Sequence, residues 1–376
     1  MKITYYSVTL NHHQVHIADE FYRLLNDDFV FVETECIDDA KGDSTDYSKR
    51  KYLVQSWKDK QSFNYAMSLA QSSDVCIFGG YKSLIFQKER LKRNLLSFEM
   101  SERWLKRGWL SLLSYRLLSY QWYYHTSWYN KQLYKLCCSG YTAKDQRQMH
   151  SFKGRCYKWG YFTKTVLDFN VNRAKARGEK IKIMWCARFL KLKHPELVVH
   201  LAKELKNRDY AFEINMYGDG PEFINTKNLA EELNVNDVLH IMGSRPHNDI
   251  LSAMLEHDIF LFTSDRNEGW GVVANECMLS GCVLVISDEI GCTPFLINDG
   301  DNGFVFRSCD LQSLCSKVNW ILDHKEEINR ISINATKTIQ EVWSPQRAVN
   351  NFLLLSRSLL SNTPSTILEG PCSISE

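Results

Sequence analysis

From residue 181 to residue 286, short apolar runs alternate with longer amphipathic stretches, and no other property of the chain limits its fold as much. Residues 181–187, 212–217, 238–242, 258–263 and 282–286 read as strands. Residues 195–205, 229–233 and 248–255 carry helical periodicity between them. Parallel strands need crossover connections of this length, so the alternation predicts a parallel sheet covered by helices on both faces. The earlier half repeats the pattern less cleanly, with strands expected at 3–8, 29–33, 75–78, 94–98, 134–138 and 157–161.

A chain of 376 residues can build two such domains, each with its own core. The expected layout is a first domain over 1–165, a linker over 166–180 and a second domain over 181–340. A helix over 341–360 returns to the first domain, with Pro345 as an early helical residue, and 361–376 is polar, unpatterned and expected to fray.

The 12 cysteines form no C-x-x-C pair and sit mostly inside apolar patterns, which fits buried reduced thiols. No apolar run approaches the roughly 20 residues that span a bilayer, and the N-terminus lacks the hydrophobic core of a signal peptide. The expected compartment is the cytoplasm. Net charge is only +2, yet residues 82–158 hold sixteen Lys and Arg against four Asp and Glu. Such a basic region points to an anionic partner: phosphate, nucleic acid or a membrane surface.

The chemistry concentrates in Glu268-Gly-Trp-Gly-Val-Val-Ala-Asn-Glu276, which follows the 258–263 strand and opens a helix near Gly271. First-turn N–H groups of a helix lack intrahelical acceptors and suit a pyrophosphate. Glu276, one turn deeper, can accept two ribose hydroxyls, and Glu268, ahead of the helix, can hold a sugar. After the 181–187 strand, Arg188 and Lys193 can clamp two phosphates. Gly218-Asp-Gly-Pro221 follows the next strand and reads equally well as a tight turn. Gly291-Cys-Thr-Pro-Phe295 and Asp299-Gly-Asp-Asn-Gly303 read as structural loops. All of these fall at the carboxyl ends of predicted strands, where open parallel sheets bind ligands.

In order and spacing, Arg188 with Lys193, Gly218-Asp-Gly-Pro221, Glu268-x7-Glu276 and Asp299-Gly-Asp-Asn-Gly303 resemble the retaining glycosyltransferases of family 4, the group 1 glycosyl transferases, of the bacterial surface-polysaccharide type. The likeness is specific over about residues 180–305 and general before that. It implies an α/β, GT-B fold of two Rossmann-like parallel-sheet domains facing across a cleft, with the acceptor bound by the first domain and the nucleotide-sugar by the second. It assigns donor contacts to Arg188, Lys193, Gly218, Gly243, Gly271, Val272, Val273 and Glu276. Glu268, Arg188, Lys193 and Glu102 are the expected catalytic set. It implies no metal and no tightly bound cofactor, the donor being a nucleotide-diphosphate sugar, UDP-linked by family frequency. The chain departs from the pattern in two places. Its first-strand loop, 7–14, has no glycine and leads into His12, His13 and His16. The place where many members carry a catalytic-site histidine holds Ser97-Phe-Glu99-Met-Ser-Glu102-Arg103, so the acid/base roles do not transfer. His12, His13, His16, Glu99 and Arg103 are the expected acceptor-side residues.

Residues 104–124 are aromatic, leucine-rich and basic. Leu110, Leu113, Leu117, Leu118 and Tyr120 approximate a helical stripe beside Lys106, Arg107 and Arg116. Such a segment suits either the interface of an anionic membrane or a core helix of the first domain. In the membrane reading the segment binds peripherally at the inner face of the cell membrane, the expected acceptor is a lipid-diphosphate-linked saccharide, and no nucleic acid is expected. Two other functions fit parts of the chain. A GT-B epimerase or phosphorylase shares the fold, and a nucleic-acid binder would use the basic region but leave Glu268 and Glu276 unexplained.

Overall fold

The computed structural model describes residues 1–36, 47–106, 108–164 and 180–376. The chain divides into two compact units: Met1–Lys164 with Val342–Glu376, and Thr165–Glu341. The expected linker at 166–180 lies, apart from Lys180, outside the described residues, as does Arg107.

Among the described residues, the first unit holds seven strands: β1 (Ile3–Ser7), β2 (Phe29–Glu33), β3 (Leu53–Gln55), β4 (Val75–Gly79), β5 (Ser97–Ser101), β6 (Leu133–Cys137) and β7 (Cys156–Lys158). All neighbours pair parallel, in the order β3-β2-β1-β4-β5-β6-β7. The described residues of the second unit hold six: β8 (Ile181–Cys186), β9 (Phe212–Tyr217), β10 (Leu239–Gly243), β11 (Ile259–Phe262), β12 (Val283–Ser287) and β13 (Phe304–Phe306). They pair parallel in the order β10-β9-β8-β11-β12-β13. Strand order therefore reverses between β1 and β4 in one sheet and between β8 and β11 in the other, which makes two topological switch points. Both sheets are Rossmann-like, as the alternation of patterns predicts.

The apolar runs are the reason these strands form. Every residue of β1, β2, β4, β11 and β12 is buried, as expected of strands covered on both faces. In the second unit, Trp185, Ile214, Leu261 and Val285 join Val198, Leu201 and Val318 from flanking helices in one core. The helix Pro345–Leu360 begins at Ser344, whose side chain accepts the Arg347 N–H at 3.2 Å. It seats Phe352 against Phe98 (centroids 4.9 Å), Phe21 (5.5 Å) and Trp159 (5.8 Å) of the first unit.

Three expectations need correction. The strand expected at 94–98 runs instead over Ser97–Ser101, because Asn94 takes a left-handed conformation (φ 55°) that closes the preceding helix. The strand expected at 157–161 is Cys156–Lys158. Residues 361–376 do not fray throughout. Lys158 and Cys156 exchange backbone hydrogen bonds with Cys372, Ser373 and Ser375, Tyr157 bridges Ile374 antiparallel, and Cys372 is fully buried. Polar serines hid this segment because its contribution is main-chain pairing on the β7 edge. No helix among the described residues is long and apolar enough to cross a membrane.

Candidate functional site

The loops leaving β8 and β11 are fastened to each other. Thr263, just past β11, accepts the Trp185 indole N–H at 2.9 Å and donates its hydroxyl to the Lys193 carbonyl at 2.5 Å. The Asp265 N–H reaches the Leu192 carbonyl at 2.9 Å, and the Glu268 N–H reaches the Asp265 carbonyl at 3.0 Å. These bonds bring Lys193 and Glu268, distant in sequence, into a direct ion pair, with the ammonium 5.6 Å from the centre of the Phe262 ring. His194 stands beside them in a left-handed turn (φ 48°), its Nδ1 at 2.7 Å from Glu196 and its Nε2 at 3.5 Å from Asp265. The Glu196 hydrogen bond is the main cause that raises the His194 imidazole above its ordinary range. Arg188 is exposed at the tip of β8, and no described residue pairs with its side chain.

The glycines have identifiable tasks. Gly271 has φ 84°, and a Cβ there would lie 2.5 Å from the Phe262 ring, so only glycine lets the chain turn over that ring. Gly218 (φ 131°) lies so close to the β8 loop that a Cβ would meet the Ala187 carbonyl at 2.0 Å. Its N–H is committed to the Gly243 carbonyl at 2.9 Å. Close backbone approach accounts for Gly218, whose amide is engaged within the protein.

Trp270 is buried, donating to the Asn275 side chain at 2.9 Å, and its carbonyl accepts the Cys292 N–H at 3.2 Å. This ties the 291–295 loop to the start of the helix Val273–Leu279. Among the described residues, the N–H groups of Val272 and Val273 have no backbone acceptor, while those of Ala274, Asn275 and Glu276 turn back to Gly271 and Val272. Glu276 sits one turn in. Burial pushes its carboxyl up to about 7, with the exposed His247 imidazole 3.5 Å away. The Cys186 thiol at the end of β8 is pushed up to about 12, by burial first and then by the charge of Glu276, partly offset by Lys193. That places Cys186 close to both groups. Two carboxylates, a paired lysine, an uncommitted arginine and two unused amides thus gather at the carboxyl ends of β8 and β11.

The expected residues of the first unit separate. A depression of about 600 Å³ opens where β1, β4 and β5 end, lined by Asn11, Gln14, Tyr81, Glu99, Glu102, Lys106, Arg116, Tyr120 and Tyr161 among others. Glu102 faces it, accepting from Lys106 at 3.2 Å and from the Tyr161 hydroxyl at 3.3 Å. Glu99 reaches its wall but is committed to a direct ion pair with the fully buried Lys135, whose ammonium also meets Ser101 at 2.7 Å. Burial raises the Glu99 carboxyl despite that lysine. Arg103 is buried, its guanidinium 3.6 Å from Asp145 and 4.7 Å from the centre of the Tyr141 ring. Asp145 in turn accepts the Leu105 N–H at 2.8 Å, so the pair anchors this loop. His12, His13 and His16 are not lining residues. His12 and His13 have ring centroids 3.7 Å apart, and burial lowers the His16 imidazole. Among the described residues no group of three or more His, Cys, Asp or Glu is placed to hold a metal ion.

The sequence reading missed Lys135, Tyr161 and Gln14. Lys135 had a signal, a lone cation inside the apolar strand Leu-Tyr-Lys-Leu-Cys. Tyr161 had none, since its partner Glu102 is 59 residues away. Residues 104–124 form no single helix. A 3-10 segment (Gly108–Leu113) is followed by the helix Tyr115–Gln121 and a π turn. Tyr120 and Tyr124 pack on Trp104, whereas Leu110, Leu113, Tyr115, Leu118 and Trp122 are exposed.

Two Rossmann-like parallel sheets in these units define a scaffold of the GT-B glycosyltransferase class. The apo lipopolysaccharide outer core galactosyltransferase WaaB superposes with a TM-score of 0.70 at 15% identity, covering 96% of this chain and 99% of that one. HepE of Anabaena in complex with UDP superposes with a TM-score of 0.68 at 13% identity, covering 94% and 99%. Residues 168–338 match the family profile of glycosyl transferases group 1. The putative colanic acid biosynthesis glycosyltransferase WcaL of Salmonella typhimurium (strain LT2) is 24% identical over 192 residues, 49% of this chain and 47% of that protein. The match spans about half the length of such curated relatives.

Proposed function

We propose that this protein is a retaining glycosyltransferase. It takes a hexosyl group from a nucleotide-diphosphate sugar, UDP-linked by preference, to a lipid-diphosphate-linked saccharide of a bacterial surface polysaccharide. The observation that carries the proposal is the fastening of the β8 and β11 loops, which pairs Lys193 with Glu268 at the switch point of the second sheet. In this reading Arg188, Lys193 and the Val272 and Val273 amides receive the diphosphate, Glu276 the ribose hydroxyls and Glu268 the transferred sugar. Cleavage of the sugar–phosphate bond builds charge on the leaving diphosphate. Donors already fixed around that charge supply a term of several kcal/mol. The acceptor hydroxyl attacks from the same face and its proton passes to a leaving phosphate oxygen, so the positive groups do the work without an enzyme base. UDP bound by HepE supports the choice of base, and the WcaL and WaaB likenesses support the polysaccharide setting.

The acceptor saccharide belongs, in this reading, to the 600 Å³ depression of the first unit, with Glu102 and Tyr161 among its polar contacts. The exposed Leu113, Tyr115, Leu118 and Trp122, with Arg116 among them, meet an anionic membrane.

The test is calorimetry of the purified protein with UDP, GDP, ADP and CMP and their sugar conjugates, with and without Mg²⁺. Saturable, metal-independent binding of one nucleotide, lost in Arg188→Ala, is expected. Absence of binding by every nucleotide overturns the donor site. Co-sedimentation with phosphatidylglycerol vesicles at low salt tests the membrane contact, and failure to sediment removes it.

A further inference from the structure

A second depression, of about 510 Å³, lies in the first unit where β2, β3 and β4 end. Its volume falls in the range of small-molecule sites. Its walls are mostly apolar. Phe63 and Phe86, with ring centroids 5.3 Å apart, pack into the buried cluster below, and Leu84 adds to the wall. Ile85 and Trp57 stand at the rim, 50% and 41% exposed, a cost in water that an apolar ligand would remove. No carboxylate lines the depression, while Lys82 and Lys88 do. Lys82 meets Glu35 at 3.4 Å but remains 61% exposed.

This depression borders the larger one. Tyr81 and Leu84 line both, and the Arg116 guanidinium lies 6.0 Å from the centre of the Tyr81 ring. The order of chemistry across the junction is therefore a polar, aromatic chamber, then cations at Tyr81, then an apolar slot. That order matches one kind of molecule, a saccharide joined through phosphate to a hydrocarbon chain. Resting on the acceptor reading of the larger chamber, we propose that the slot lined by Trp57, Phe63, Ile85 and Phe86 takes the hydrocarbon chain of the acceptor. The phosphate then lies beside Lys82 and Arg116.

The experiment is calorimetric titration of the full chain with alkyl phosphates from hexyl to dodecyl, each below its micelle concentration. Affinity is expected to rise about fourfold per added methylene and then level off once the slot is full. Ile85→Glu is expected to weaken dodecyl phosphate about tenfold or more, Trp57→Ala to weaken it less, and Lys82→Glu to weaken all chain lengths alike. Affinity that ignores chain length overturns the proposal. So does affinity that climbs without levelling and is untouched by Ile85→Glu, since that is partition onto the exposed leucine and tryptophan face. UDP titrated into the same variants keeps the two readings apart. Retained UDP binding with no alkyl phosphate binding removes the slot alone. Lost UDP binding in the unaltered chain removes the donor site and leaves the slot to its own result.

Discussion

Burial holds the Glu276 carboxyl at about 7. The ordinary value is 4.5, so the folded chain resists ionising a group that the unfolded chain ionises freely. Stability is full below pH 4.5, falls as pH rises toward 7, and stays reduced above it, by a shift worth about 3 kcal/mol. Glu276→Gln removes the penalty. Thermal unfolding of this variant should match the unaltered protein at pH 4.5 and exceed it at pH 8, while UDP binding weakens about tenfold. A destabilised variant at pH 8 would show that the His247 contact at 3.5 Å outweighs the burial. Lys135 presents the opposite case. Removing one member of a buried ion pair strands the other, at about 3–5 kcal/mol. Lys135→Met should lose that much at pH 8 and less at acidic pH, because burial raises the Glu99 carboxyl and eases its protonation, and Glu99→Gln added to it should recover most of the loss. Denaturant titrations at the two pH values measure both effects.

At the scale of elements, the donor-side geometry depends on loops more than on the strands that carry them. Gly218→Ala forces a Cβ against the Ala187 carbonyl, and the backbone must move. Strained positions of this kind cost about 1–3 kcal/mol. Because Ala187 begins the loop that presents Arg188 and Lys193, nucleotide affinity should fall together with stability, whereas Ser344→Ala should cost about 1 kcal/mol of stability with UDP affinity unchanged. The contrast, read by calorimetry and chemical denaturation, separates a loop effect from a cap effect. The same elements explain what could be read in the sequence. The strands β8 to β12 were legible because each is a largely apolar run followed by a glycine- or proline-bearing loop. Lys193, Glu268 and Glu276 were legible because they flank those runs. The commitment of Arg103 to Asp145 was not, since it depends on packing between segments about 40 residues apart. The return of Cys372 and Ser373 to the β7 edge was not either, because main-chain pairing leaves no trace in side-chain periodicity.

Over the whole molecule, each unit has its own apolar clusters and its own chemistry. The second unit's core runs through β8, β9, β11 and β12, and the first unit's clusters lie around β1, β4 and β6. The chain threads the first unit twice, because Val342–Glu376 belongs to it. A nucleotide and a C-terminal truncation should therefore leave separate marks. Saturating UDP at about 100 times its dissociation constant stabilises what it binds by about 2.7 kcal/mol. Amide exchange should slow about a hundredfold at most in 186–193 and 265–276, through opening reactions that expose the site. Deleting 370–376 removes the partners of Cys156 and Lys158 and uncovers the β7 edge. Exchange should then accelerate in Cys156–Lys158 and Leu133–Cys137, while UDP protection in the second unit persists. If the deletion abolished nucleotide protection as well, the donor site would depend on the first unit. Its residues would then extend beyond the β8 and β11 loops that define it here.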